Sequence, residues 1–335
     1  MNNVSCGFVN ISNGVGTMKR NQMITDICDI LSRSGFYISD PADLRSISFD
    51  IICRRDNTLL IIKVLANIDS FTKENACQLK LLASFLGASP VMMGYRASSG
   101  PLEDGIIYLR HLISIITPRT LYDIFIEGVF PSVFAAPGGF YVDLDNEILR
   151  EVRKERGMSL GDMAKAVGVS RKAVQMYEQG MSATLDVGLV MEETLGVPLI
   201  ASLNPFVLNE KLLKQREKLD KLDSVNSSLQ SKLHLLGYEV IPLFRCPFDA
   251  FTRRDNILLL TGFQKPGVTI RKKARMMTRI GSITERHSVF FLSDPTSKTC
   301  IEGTPIITKC ELEDIACSED ILELVMERRA KVGPR

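Results

Sequence analysis

Residues 147–180 read EILREVRKERGMSLGDMAKAVGVSRKAVQMYEQG, and the pattern of this stretch decides the central part of the fold. Apolar residues return at helical spacing: Ile148, Leu149 and Val152 form the inner stripe of a first helix that stops at Gly157. Ser159 is placed to cap the next helix, with Asp162 three residues on, in its first turn. Leu160, Met163, Ala164 and Val167 give that helix a narrow apolar face, and the small Ala164 sits where two helices must cross closely. Gly168 permits the turn, and Ser170 caps a third helix, about Arg171 to Gln179. This helix buries Ala173, Val174 and Tyr177 and leaves Arg171, Lys172, Gln175, Met176 and Gln179 on its other faces. Arg, Lys and Gln present donors, and Gln also an acceptor, to base edges and phosphates, and a helix of this size fits the major groove of DNA.

The motifs RKERGMS, LGDMAKAVGVS and RKAVQMYEQG closely resemble the Cro/phage-repressor (XRE-type) helix-turn-helix family, and LDVGLVMEETLGVPL would supply its last helices. That resemblance implies Ser159, Ser170, Arg171, Lys172, Gln175 and Met176 as the DNA-binding residues. One departure is Leu160, where many members carry a Gln that contacts the DNA backbone; Ser159 and the amides at the helix start can still hold a phosphate. A small helical bundle used for protein contacts would show the same apolar pattern. Net charge does not separate the two readings, because residues 147–199 hold seven Lys/Arg against eight Asp/Glu. The positive residues are instead concentrated early, at Arg150, Arg153, Lys154, Arg156, Lys165, Arg171 and Lys172.

An internal repeat flanks this module. FDIICRRDNTLLIIK at 49–63 aligns without gaps to FDAFTRRDNILLLTG at 248–262, with eight of fifteen residues identical, including the whole of RRDN. Upstream, SRSGFYI (Gly35) matches KLHLLGYEV (Gly237), and downstream IITPRTLYDI resembles IITKCELEDI. A repeat of about 110 residues is long enough to bury its own core, so the two copies imply a duplicated α/β domain rather than a solenoid. In the first copy, Ser48–Ile52 and Leu59–Leu65 are predicted strands of a hairpin turned by Arg54-Arg55-Asp56-Asn57. Helix 75–86, strands near 90–94, 106–109 and 113–116, and helix 119–127 complete a sheet covered by helices.

The pair Asp50…Lys63, on a strand pair preceded by a helix, resembles the restriction-endonuclease-like (PD-(D/E)XK) fold. That chemistry needs an acid or Gln two positions before the Lys, because two such groups hold Mg²⁺ while the Lys steadies developing charge. Here Ile61 stands at that position, and in the second copy Asp249 is followed by Leu260 and Gly262. Both copies therefore read as nuclease-like scaffolds without nuclease chemistry, with Asp50 and Asp249 stabilising the repeat beside its turn.

Taken together, SFDIICRRDNTLLIIKVLANID, GPLEDGIIYLR, AAPGGFYVDLD and the helix-turn-helix resemble the archaeal family of helix-turn-helix transcriptional regulators of about this length. The resemblance implies sequence-specific DNA binding in the cytoplasm. The expected architecture is multidomain α+β: an all-α helix-turn-helix module between two duplicated α/β domains resembling the restriction-endonuclease-like fold. Its boundaries are a flexible 1–17, an α/β domain at 18–132, the module at 133–203, a helical linker at 204–223 and a degenerate α/β domain at 224–335. Leucines at 208, 212, 219, 222, 229 and 233, with Gln215 and Asn226, fit a short coiled coil; a helix packed on its own C-terminal domain fits equally.

The remaining features narrow the function. Eight cysteines without a CxxC pair and three scattered histidines indicate neither a zinc site nor a disulfide framework, and reduced thiols serving as small core residues are expected. No apolar run approaches the roughly 20 residues of a membrane span, and the N-terminus lacks a signal-peptide pattern. APGG at 136–139 lacks the Gly-Lys-Ser/Thr of a phosphate loop and reads as a tight turn into Phe140-Tyr141-Val142, followed by a cap at Asp145. Residues 245–286 hold ten Lys/Arg against three Asp/Glu; Lys272, Lys273 and Arg275 are expected to track phosphates, or else to form solvated surface. The expected protein is a homodimeric regulator of double-stranded DNA, not an enzyme, with no catalytic residue, cofactor or metal and no assigned small-molecule effector. A Mg²⁺-dependent nuclease or DNA-processing enzyme, and a structural nucleic-acid protein without sequence preference, are the competing readings.

Overall fold

The computed structural model describes residues 20–39, 48–207, 228–263 and 268–330. The N-terminal stretch 1–17 and the leucine series from 208 to 222, with Gln215 and Asn226, lie outside the described residues. The last two leucines of that series, Leu229 and Leu233, are buried in the core of the C-terminal lobe.

The first lobe opens with α1 (Arg20–Arg33) and β1 (Tyr37–Ile38), followed by the hairpin β2 (Ile51–Arg55) and β3 (Thr58–Asn67). Arg55 pairs with Thr58, leaving Asp56 and Asn57 as the turn, and Asp56 takes the left-handed conformation that a short polar side chain tolerates. Next come α2 (Lys73–Leu86), β4 (Ser89–Ala97), β5 (Gly100–Pro101), β6 (Ile106–Arg110), β7 (Ile113–Ile116) and α3 (Pro118–Tyr122). The predicted helix 119–127 is not regular throughout, since Asp123–Glu127 continues α3 as a π-turn. The strand expected from Ser48 begins at Ile51. In β1-β2-β3-β4-β7-β6 the pairings run antiparallel, antiparallel, parallel, parallel and antiparallel.

The C-terminal lobe comprises α8 (Ser228–Leu235), β11 (Glu239–Pro242), β12 (Ala250–Arg254), β13 (Ile257–Phe263), α9 (Val268–Thr284), β14 (His287–Leu292), β15 (Cys300–Ile301), β16 (Thr304–Thr308), α10 (Lys309–Asp314) and α11 (Ser318–Ala330). Its six-stranded sheet, β11-β12-β13-β14-β16-β15, runs through the same series of antiparallel and parallel steps.

Strand side chains alternate between two faces, and in both sheets the two faces feed different cores. Leu60, Ile62, Val64, Val91 and Met93 pack under α1 and α3, whereas Ile52, Ile61, Met92 and Ile115 point the other way. That second face joins Leu79, Leu82 and Phe85 of α2, Ile270, Ala274 and Met277 of α9, and Phe251, Leu260 and Phe290 of the second sheet in one apolar cluster. The outer face of the second sheet, with Leu259, Val289 and Ile307, packs against Leu233, Leu312 and Val325. The two crossover helices thus form a middle layer shared by both sheets.

Between the lobes run β8 (Val133–Ala136), β9 (Gly139–Val142), α4 (Asn146–Glu155), α5 (Leu160–Val167), α6 (Arg171–Tyr177), β10 (Ala183–Thr184) and α7 (Leu185–Leu195). APGG forms the expected hairpin turn, with Ala136 opposite Gly139. The module is not tethered loosely. β6 pairs in parallel with β8, so the first sheet continues through β8, β9 and β10 to ten strands. After α7 the chain returns: the Leu203 N–H bonds the Pro131 carbonyl at 2.7 Å, and Phe206 stacks on Phe125 at 5.0 Å in the core of the first lobe. Among the described residues, no helix is long and apolar enough to cross a membrane.

Candidate nucleic-acid interface

The module is organised by its caps. Asp145 accepts the N–H groups of Glu147 and Ile148 at the start of α4. Ser159 and Asp162 make a reciprocal capping box: the Ser159 hydroxyl accepts the Asp162 N–H, and the Asp162 carboxylate accepts both the Ser159 N–H at 2.9 Å and its hydroxyl at 2.6 Å. These bonds, the hydroxyl first, hold the Asp162 carboxyl below its ordinary value. Ser170 accepts the Ala173 N–H at 3.0 Å, starting α6. The α5–α6 turn needs Gly168 at φ +77°, where a side chain would be strained.

Leu149, Met163, Ala164, Val167, Val174, Tyr177, Met191 and Leu195 are buried together as the module's core. Ala173 is half-buried, and Arg171, Lys172, Gln175 and Gln179 are exposed. Met176, at 38% exposure, lies on the same outward side of α6. Ser159 and Ser170, also exposed, stand at the starts of α5 and α6, but each hydroxyl already serves its helix.

Two expectations about α4 are corrected. Ile148 is 39% exposed and does not belong to the inner stripe. Arg153, expected among the surface cations, is 7% exposed and points inward. Its guanidinium meets Glu178 through Nε to Oε1 at 2.5 Å and Nη2 to Oε2 at 3.2 Å, and donates from Nη1 to the Met158 carbonyl at 2.7 Å. Arg150 adds a bond to the Glu178 carbonyl at 2.6 Å. This buried fork ties α4 to the end of α6 and fixes how α6 is presented. The signal was present in the sequence: Arg153 lies four residues after Leu149, on its face of the helix.

The nuclease-like position is built otherwise. Asp50 is buried at the mouth of the β2–β3 hairpin. One oxygen is ion-paired with Arg20 and lies 3.4 Å from the Lys63 ammonium, and the other accepts the Val64 N–H at 2.7 Å. Burial lowers the Lys63 ammonium below its ordinary value; Asp50 opposes this shift and Arg20 adds to it. Asp249 repeats the arrangement, accepting the Phe263 N–H at 2.8 Å, but its cation is Lys273 of α9 at 3.2 Å. Gly262 stands where Lys63 stands in the first lobe, and a Cβ there would come within 2.2 Å of the Phe290 ring. The second metal-ligand position is the buried, apolar Ile61, and among the described residues no group of three His, Cys, Asp or Glu is placed to hold a metal ion. The residues present do not fit a divalent cation.

The basic run of the C-terminal lobe is partly spoken for. Lys273 turns to Asp249, and Arg275 binds Glu302 at 3.1 Å, so the phosphate-tracking trio expected there is not presented as one face. The seven described cysteines are free thiols. Burial raises the Cys53 thiol above its ordinary value and pushes Cys246 up to about 12, whereas Cys310 and Cys317 are exposed rather than core residues.

An α5–turn–α6 unit with a polar outward helix, joined to a mixed sheet covered by helices, defines a helix-turn-helix protein built on an α/β scaffold. Comparison with known families agrees: residues 149–201 match the helix-turn-helix model and residues 20–131 a PD-(D/E)XK superfamily domain. Proteins of Methanosarcina acetivorans and Methanosarcina barkeri, each named "Putative HTH-type transcriptional regulatory protein", are 38% identical to this chain, and one of Haloarcula marismortui with the same name is 34% identical. Each alignment spans 93% of this chain and 98% of the relative. The chain belongs to this archaeal family of HTH-type transcriptional regulatory proteins. No solved structure matches it.

Proposed function

We propose that this chain is a cytoplasmic, sequence-specific DNA-binding regulator of transcription whose helix α6 enters the major groove in the Cro manner, and that it is not an enzyme. One observation carries the reading: Arg171, Lys172, Gln175 and Met176 are exposed together on a helix whose Val174 and Tyr177 are locked into the core. Arg171, Lys172 and Gln175 meet base edges, with Met176 beside them. Ser159 and Ser170 mark the phosphate contacts; because their hydroxyls act as caps, the contact falls largely to the N–H groups of the first turns. Two chains pair as a homodimer and set their recognition helices about 34 Å apart, one DNA turn. The α/β domains, at 18–132 and 224–335 around a module at 133–203, arose by duplication; the repeated RRDN hairpin and the shared strand order support this.

Selection of bound sequences from a random duplex pool tests the assignment. The native chain is expected to enrich a defined half-site, and Gln175→Ala to relax that preference while the fold is kept. Identical selectivity in the variant counts against it. The PD-(D/E)XK match supports a second reading, a Mg²⁺-dependent nuclease. Cleavage of supercoiled DNA by the native chain with Mg²⁺, lost in Lys63→Ala, would establish it in place of the first.

A further inference from the structure

We infer that the two α/β lobes are each other's partner: they meet through equivalent faces about a local twofold, as an intramolecular counterpart of a homodimer, so that each lobe pair carries a single reading module. A second copy of the chain must then be engaged through other surfaces. The inference holds whether or not the module reads DNA.

It starts from the repeated tetrapeptide. Arg54-Arg55-Asp56-Asn57 corresponds to Arg253-Arg254-Asp255-Asn256, and the two turns are built alike, with Asp56 at φ 51° and Asp255 at φ 49°. The second arginine of each works within its own lobe. Arg55 donates to the Ser34 carbonyl at 3.0 Å and Arg254 to the Leu236 carbonyl at 3.3 Å, in each case at the end of the helix that opens the lobe. The first arginine of each reaches the other lobe. Arg54 binds Glu285 at 2.8 Å and lies 3.5 Å from the Ile283 carbonyl, at the end of α9. Arg253 pairs with Glu239 of β11 at 2.5 Å within its own lobe and also lies over the Phe85 ring of the other at 5.4 Å, at the end of α2.

These contacts are reciprocal. Leu60 pairs with Ser89 as Leu259 pairs with His287, which makes Phe85 and Ile283 equivalent residues of the two crossover helices. Arg54 therefore meets the counterpart of the residue that Arg253 meets. A contact in which i touches j′ and j touches i′ is the mark of an isologous, twofold interface. Phe85 also packs on Phe251 at 5.2 Å, and the counterpart residues Ile283 and Ile52 belong to the same shared cluster. A loop of the second lobe closes the seam: the Ser48 N–H bonds the Arg245 carbonyl at 2.7 Å, the Phe244 N–H bonds Gln78 at 3.2 Å, and Arg245 bonds Asn75 at 3.3 Å. The face that would otherwise be a large exposed apolar patch is thus covered from within the chain.

Hydrogen exchange on the full chain tests this by reading each substitution in the opposite lobe. Arg54→Glu sets like charges together at Glu285 and is expected to raise exchange roughly tenfold at the end of α9, residues 280–284, while the β3 and β13 ladders stay protected. Adding Glu285→Arg is expected to restore it. Arg253→Ala is expected to raise exchange at the end of α2, residues 83–87. Arg253→Ala also loses its pair with Glu239, so exchange in its own lobe does not count; should either single variant leave exchange in the opposite lobe unchanged, or should the double variant fail to recover, the twofold pairing is overturned. If Arg54→Glu does not fold, Arg253→Ala alone decides, read in the same way.

Discussion

Truncating Glu178 to Ala should open the helix-turn-helix module far more than the loss of one surface contact would. Arg153 and Glu178 each keep only 9% of their side chain exposed, and the guanidinium spends its remaining reach on the Met158 carbonyl. Removing the carboxylate leaves a buried cation without its counter-ion, which costs about 3–5 kcal/mol, whereas an exposed pair contributes at most about 1 kcal/mol. At about 1.4 kcal/mol for each factor of ten, the local opening of α4 and α6 should rise by roughly two to three and a half powers of ten. Native-state hydrogen exchange of the full chain measures it, at the amides of Leu149, Val152, Val174 and Tyr177. The double variant Arg153→Met/Glu178→Leu, which removes both charges and keeps the volume, is expected to recover most of the loss. A rise below tenfold in Glu178→Ala, or a double variant as loose as the single, refutes the reasoning.

Three further outcomes follow from the same geometry. Gly262→Ala places a methyl group against the buried Phe290 ring and should cost about 1–3 kcal/mol in urea unfolding; a combined Phe290→Leu should recover part of it, and an unchanged midpoint in Gly262→Ala would contradict the close approach. Because the Asp162 carboxyl is held below 3.8, the capping box should be intact at neutral pH, begin to weaken as pH falls past that value, and vanish below the lowered one. Exchange at the first-turn amides of α5 checks this, and Asp162→Asn should remove the acid dependence of that turn. Arg55→Met should lose the bond to the Ser34 carbonyl and the stacking on Phe36 at 4.7 Å and Phe125 at 5.3 Å, lowering stability by about 1–3 kcal/mol; a thermal midpoint equal to the native one would show the stack to be idle.

What could be read from the chain was local. Helix starts at Asp145, Ser159 and Ser170 and the hairpin at Asp56-Asn57 depend on side chains bonding their own backbone neighbours, so residue type and spacing carry them. The outward set on α6 was legible for the same reason, because a period of 3.6 sorts its faces without knowledge of the rest of the molecule. The non-local features were not. Runs such as TLLIIK in β3 read as an apolar strand of a hairpin, but not as one whose alternate residues serve a private core and a core shared with the sister lobe. The inward turn of Arg153 was misread because its charge outweighed its place beside Leu149. The β6–β8 joint rests on two residue pairs, Ile106 with Val133 and Ile107 with Phe134, and has no sequence signature at all.

That short joint has a mechanical consequence. A head hung from a flexible strap would average over orientations, whereas strands welded edge to edge transmit torsion, so any warp of the first α/β scaffold swings the reading helix through an angle as a rudder follows its post. In the homodimer proposed above, such a swing would alter the distance between the two copies of α6 and so the phase along the DNA at which both could sit.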